Sequence, residues 1–203
     1  MSEPAWRVHT ARVVATLDTL PRSRTFWWDR ARCAHADVPV LEAVIFDFDA
    51  RRGACEQDAV MFRELIWSLH CDNIRVGITA ADQRARIEPL VRQLIGDGVV
   101  EVMITGDDVA RPKPDPEVYH RALHELGVHP ASAMAVEHSL AGLRTARSAG
   151  LATIVVSSHH FHGRDAAGAA AVQDRYACAE PLTAYRCRRL HERWWIDHTR
   201  LSA

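Results

Sequence analysis

The sequence predicts an α/β protein, a three-layer sandwich with a central parallel sheet covered by helices on both faces. Two observations lead there. Short apolar runs of strand length alternate with amphipathic stretches of helical length over residues 42–157, and such alternation implies right-handed crossovers between parallel strands. Polar residues suited to chemistry recur immediately after those apolar runs, and in an open parallel sheet ligands bind beyond the C-terminal strand ends.

The first strand is the apolar run Ala43-Val44-Ile45-Phe46, ending at Asp47. After a polar, glycine-containing loop over 49–53, Phe62, Leu65, Ile66 and Leu69 recur at the i, i+3, i+4, i+7 spacing of one helix face. The unit then repeats. Residues 74–79 read as a strand, 83–94 as a helix, 99–104 as a strand and 117–126 as a helix. Residues 133–137 read as a strand, 141–149 as a helix closed by Gly150, and 152–156 as a strand. Outside this core lie a helix from Val8 to Leu20, an aromatic cluster Phe26-Trp27-Trp28, and a last helix starting at Pro181 and carrying Tyr185, Leu190, Trp194 and Trp195. The expected organisation is an N-terminal helical extension over residues 1–40 and one core domain over 41–203, a size that suits a single core. The tryptophans read first as packing residues and second as a dimer interface or a substitute lid.

Composition narrows the function classes. A hydrophobic fraction of 48% and a charged fraction of 25% are those of a soluble globular protein, and the longest apolar runs fall short of a membrane span. Residues 1–10 lack the basic start and apolar stretch of a signal peptide, so a cytoplasmic location is expected. A net charge of -1 with no long basic run argues against nucleic-acid binding. The five cysteines are odd in number and widely spaced, which suggests reduced thiols rather than disulfides or a zinc ribbon. Of the 25 basic residues only Lys113 is lysine.

Reading the residues after each strand gives Asp47 and Asp49, then Thr79, then Lys113 after the third strand's loop, then Glu137 and His138. A carboxylate at Asp47 can attack phosphorus to form an aspartyl-phosphate, and Asp49, on the same side of the chain, can protonate the leaving oxygen. Thr79 and Lys113 can hold phosphoryl oxygens, while acids on the first and fourth strands can hold a divalent cation.

The stretches Val44-Ile-Phe-Asp-Phe-Asp49, Val76-Gly-Ile-Thr79, residues 109–116 with Glu117-Val-Tyr119, and residues 135–142 with 146–150 carry a resemblance. In their order and spacing the chain resembles the haloacid dehalogenase (HAD) superfamily of phosphohydrolases, closest to the group containing phosphoglycolate phosphatase and β-phosphoglucomutase. The resemblance implies a HAD-like Rossmannoid core. It makes Asp47 the nucleophile, Asp49 the acid/base and a backbone metal ligand, Thr79 and Ala80 phosphate binders, and Lys113 the cation linking nucleophile and phosphate. Asp47, Asp49, Glu137 and His138 form the implied metal set, and the implied cofactor is a divalent metal, magnesium by resemblance. The lone lysine at the motif's position suggests that an ammonium is needed there.

The sequence departs from the family pattern in three places. Ala50-Arg51-Arg52 follows the second aspartate where the family has glycine. His138 stands where the family has the aspartate that ligates magnesium, a hard cation that prefers oxygen donors. Three readings follow: His138 ligates a softer ion such as manganese, zinc or iron, Glu137 replaces the lost carboxylate, or the metal site is gone. Finally, 29 residues separate Asp49 from Thr79, which leaves no room for a cap domain, and the stretch from Thr79 to Lys113 leaves none either.

A capless site is open. It favours a bulky phosphorylated substrate, or a lid supplied by a second copy in a homodimer, by the N-terminal segment or by the aromatic C-terminal helix. The function expected is a phosphomonoester hydrolase acting through an aspartyl-phosphate with a divalent metal. The alternative is a catalytically impaired HAD-fold protein serving as a binding or assembly module. Hydrolytic dehalogenation is disfavoured, since that branch needs neither the acid at Asp49 nor a metal. His159-His160-Phe161-His162 reads as solvated loop histidines, Asp107-Asp108 as helix-start or loop chemistry, and Cys55 as an ordinary thiol.

Overall fold

The computed structural model describes residues 38–49, 56–157 and 166–201. The chain divides into two units, Met1–Asp37 and Val38–Ala203, and the second holds the sheet and all of the described residues. The N-terminal extension with its Val8–Leu20 helix and aromatic cluster, the Ala50-Arg51-Arg52 stretch, Cys55 and the His159–His162 run lie outside the described residues.

The elements run β1 (Ala43–Asp47), α1 (Glu56–Cys71), β2 (Arg75–Thr79), α2 (Arg84–Ile95), β3 (Val100–Ile104), α3 (Glu117–Leu126), β4 (Ala133–Glu137), α4 (Leu140–Ser148), β5 (Ala152–Val156), β6 (Ala171–Gln173) and α5 (Ala184–Leu201), with short 3-10 turns at Gly106–Asp108 and Pro130–Ser132. The sheet order is β3-β2-β1-β4-β5-β6, and every neighbouring pair is parallel. This is the expected sandwich, with one strand more than the sequence announces.

Side-chain alternation along the strands divides the core in two. Val44, Phe46, Val76, Ile78, Met134, Val136 and Ile154 meet α1, α2 and α5 through Leu65, Ile66, Ile87, Val91 and Cys187. Ala43, Ile45, Ile104, Ala133 and Ala135 meet α3 and α4 through Tyr119, Ala122, Leu126 and Ala146. Strands buried on both faces read as unbroken apolar runs, which is why β1, β4 and β5 are plain in the sequence. Helix ends follow ordinary chemistry. Gly127 closes α3 in a left-handed conformation (φ 64, ψ 33), and its amide is within bonding distance of the His124 and Leu123 carbonyls. The last helix begins at Ala184 rather than at Pro181 because the Thr183 hydroxyl accepts from the Arg186 amide (3.2 Å), which makes Thr183 the cap.

Only residues 48–55 lie between β1 and α1, and α2 is the one helix between β2 and β3. Neither interval is long enough to hold an inserted domain. Among the described residues no helix is long and apolar enough to cross a membrane.

Candidate active site

Register sets the site. Asp47 pairs with Thr79 across β1 and β2, and Phe46 pairs with Val136 across β1 and β4, so the next step along brings Glu137 beside Asp47. Three strand tips thus converge from the middle of the sheet, where apolar walls lower the dielectric and every charge must be matched.

The matching charge comes from the loop over 109–116. Its fold is fixed by Glu117 at the start of α3, whose carboxylate accepts from the amides of Ala110 and Arg111 (both 2.9 Å) and from Arg111 Nε (3.2 Å). These bonds, Ala110's first, hold Glu117 below the usual carboxylate range. Asp115 accepts from the Glu117 amide (2.9 Å), and the Lys113–Pro114 peptide is cis. The loop delivers Lys113 Nζ to 2.7 Å from Asp47 Oδ1 and 2.6 Å from Glu137 Oε1. Burial works against the lysine's charge, but the two carboxylates outweigh it and raise its pKa.

Glu137 is fully buried. Its Oε1 accepts from Lys113 and from the Tyr119 hydroxyl (2.5 Å), and its Oε2 accepts from the His138 amide (3.2 Å). Burial, with repulsion from Asp47, pushes Glu137 up to about 7 against the pull of Lys113 and Tyr119. Tyr119 is itself fully buried. Burial, with the charges of Glu137 and Asp47, holds its hydroxyl well above the ordinary phenol range, so it remains a donor. Its ring centroid lies 5.1 Å from Lys113 Nζ, within cation–π reach.

Thr79 is buried, and its hydroxyl sits 3.5 Å from the Phe46 carbonyl, a contact too long to hold it firmly. The Ala80 amide donates to the Ile104 carbonyl (2.9 Å). In this arrangement the second strand offers the site the Thr79 hydroxyl rather than the Ala80 amide. Asp49 lies exposed two residues beyond Asp47. Asp107 and Asp108 face elsewhere. Asp107 accepts from the Arg84 amide at the start of α2 (2.7 Å). Asp108 closes a capping box with Thr105 (amide and hydroxyl both 2.7 Å) and binds Arg84 (2.8 Å).

The implied metal set does not come together. Both Glu137 oxygens are committed to donors, and the His138 Nδ1 donates to the Val156 carbonyl (2.8 Å), with the ring 6.1 Å from that of Tyr176. Among the described residues no three of histidine, cysteine, aspartate or glutamate gather as a metal set. Glu137 is turned to the lysine, and His138 to the backbone of β5. Asp47, the Asp49 backbone and the His138 Nε2 are the groups that would hold a divalent ion, whose charge would offset repulsion between Asp47 and a phosphate.

Two site residues receive no role at the level of sequence, although both lie in the stretches that carry the resemblance. Tyr119 falls on the apolar face of α3 and passes for core. Gly142 passes for an ordinary helical glycine, although glycine inside a helix costs about 1 kcal/mol relative to alanine and so signals a packing demand.

Residues 60–156 match the haloacid dehalogenase-like hydrolase family. Over those residues, just under half of its length, the chain is similar to that family. The match spans Thr79, Lys113 and Glu137 and begins beyond Asp47. The chain is 40% identical over 106 residues to the protein CbbY of Rhodobacter capsulatus, covering 50% of this chain and 46% of that one. It is 33% identical over 97 residues to validoxylamine A 7'-phosphate phosphatase of Streptomyces hygroscopicus subsp. limoneus, covering 48% and 46%. It thus spans about half the length of the curated relatives it matches. The crystal structure of CbbY from Rhodobacter sphaeroides in complex with phosphate superposes with a TM-score of 0.58 at 23% identity, covering 70% of this chain and 98% of that one. At that identity the likeness shows a HAD-type fold.

Proposed function

We propose that the chain is a phosphomonoester hydrolase acting through an aspartyl-phosphate at Asp47. The observation that carries this reading is the lysine bridge, with the Lys113 ammonium 2.7 Å from Asp47 and 2.6 Å from Glu137. An anionic nucleophile cannot approach an anionic phosphate without a countercharge, and Lys113 supplies one at the attacking oxygen. Asp47 attacks phosphorus while the ester P–O bond breaks, and Asp49 gives its proton to the departing oxygen. Water then attacks the acyl phosphate at phosphorus, Asp49 takes the water's proton, and Asp47 and inorganic phosphate are released. In this reading Thr79 donates to a phosphoryl oxygen.

Relatives suggest the substrate class. One is a phosphorylated carbohydrates phosphatase of Thermotoga maritima, 34% identical over 101 residues. CbbY of Rhodobacter sphaeroides has been crystallised with xylulose-(1,5)-bisphosphate. A sugar phosphate is therefore the substrate class proposed, with the capless core leaving room for a bulky one. Hydrolysis of an aryl phosphate and of a sugar-phosphate panel, without metal and with magnesium, manganese, cobalt or zinc in turn, tests the reading. Activity lost in Asp47→Asn supports it, and no activity above that control under any condition overturns it.

The impaired-site reading is favoured by one observation, the imidazole of His138 where the family pattern has a carboxylate. Calorimetry with metal plus beryllofluoride or orthovanadate separates the two, since binding that depends on Asp47 speaks against a dead site.

A further inference from the structure

Gly142 is the third residue of α4, a position where its own backbone makes no demand for glycine. Its amide donates to the Ser139 hydroxyl (3.0 Å) in a standard N-cap, and it is absent from the positions with positive φ. Alanine there would favour the helix. What stands in the way is Glu137. A Cβ on residue 142 would lie 1.8 Å from Glu137 Oε2, 2.2 Å from its Cδ and 2.6 Å from Oε1, so the whole carboxyl group occupies the space that a side chain would fill. On its other side the same carboxyl receives the Tyr119 hydroxyl, and Tyr119 places its ring 5.1 Å from Lys113.

We propose that Gly142 and Tyr119 are positioning residues that form a seat for one carboxylate, holding Glu137 against Lys113 so that the ammonium is presented to Asp47. The seat makes Glu137 the second counter-ion of Lys113. Glycine leaves the volume, tyrosine sets the direction through one hydrogen bond, and the ammonium is fixed between two carboxylates instead of swinging about one. The catalytic consequence rests on the hydrolase reading. The steric arrangement does not.

Because Lys113 is the only lysine of the chain, its freedom can be read directly. Acylation of the native protein by an amine-reactive reagent, followed by peptide mapping to separate Lys113 from the N-terminal amine, gives its reaction rate. Alkylation of the fully buried Cys187 serves as the control for an intact fold. Gly142→Ala is expected to speed Lys113 acylation about tenfold and Tyr119→Phe severalfold, as each loosens a charge-assisted contact to the ammonium or its partner. Cys187 stays slow in both. Unchanged Lys113 rates in both variants overturn the proposal.

Melting temperatures give a second test with a sign. Gly142→Ala should lower the melting temperature of the wild type but raise it in a Glu137→Ala background, where the clash is gone and alanine's helix preference is left. An equal penalty in both backgrounds overturns the proposal. If Gly142→Ala does not fold, a double variant that does supports it, and a double variant that also fails overturns it. Hydrolase activity is followed alongside. An inactive wild type with a responsive seat sinks the hydrolase reading alone, and an active wild type with an unresponsive seat sinks this one alone.

Discussion

The two sides of the strand-end cleft are built differently. Toward α3, Lys113, Glu137 and Tyr119 are knit by contacts of 2.5 to 2.7 Å to one another and to Asp47, over a loop pinned by Glu117. Toward β5, His138 bonds the Val156 carbonyl through Nδ1, and Asp49 is exposed. Charge compensation around Asp47 therefore rests on an amine in the first region, while the second presents the His138 imidazole. Buried charges tolerate change only when their partners change with them. The α3 side should accordingly be intolerant of substitution and the β5 side permissive.

Lys113→Met should break this contrast most severely. It leaves Asp47 and the buried Glu137 facing each other without a cation, and about 3 kcal/mol or more of stability should be lost in urea unfolding, together with hydrolase activity. Next in size is a pH effect. The Glu137 carboxyl is raised from 4.5 to about 7 in the fold, so its contribution to stability is full below pH 4.5 and drains away as the pH rises to about 7. Wild-type melting temperature should therefore fall more steeply across that window than that of Glu137→Gln, and parallel curves would refute the assignment. Asp108→Ala should cost about 1 kcal/mol through the lost cap of the Gly106–Asp108 turn, and it should leave Lys113 acylation unchanged. Smallest is His138→Ala. The hydrogen bond to the Val156 carbonyl and the ring contact with Tyr176 go, a cost of about 1 kcal/mol, and Lys113 acylation should again be unmoved. Faster acylation in His138→Ala would erase the distinction between the two sides.

Much of the fold and part of the site are legible in the sequence, for definable reasons. β1, β4 and β5 are buried on both faces and announce themselves as apolar runs, and Asp47, Thr79 and Glu137 stand out because they end such runs. β6 is not legible, because its three residues are partly or fully exposed and make no pattern. The orientation of Glu137 is not legible either. Sequence order brings it to the site, but only packing decides whether its carboxyl turns to a metal or to Lys113, and that is settled by a tyrosine one strand-helix unit earlier and a glycine five residues later. His138 invites a reading from its donor chemistry, whereas its direction is set by a carbonyl 18 residues away.

The position of β1 and β4 within the sheet carries a further consequence, for motion. Both strands have a paired strand on each side, so their amides open only with the whole fold, whereas the three-residue β6 at the edge can fray at small cost. Hydrogen exchange should find the amides under Asp47 and Glu137 among the slowest in the chain and those of β6 among the fast ones. Chemistry at the strand ends then proceeds on a floor that scarcely breathes.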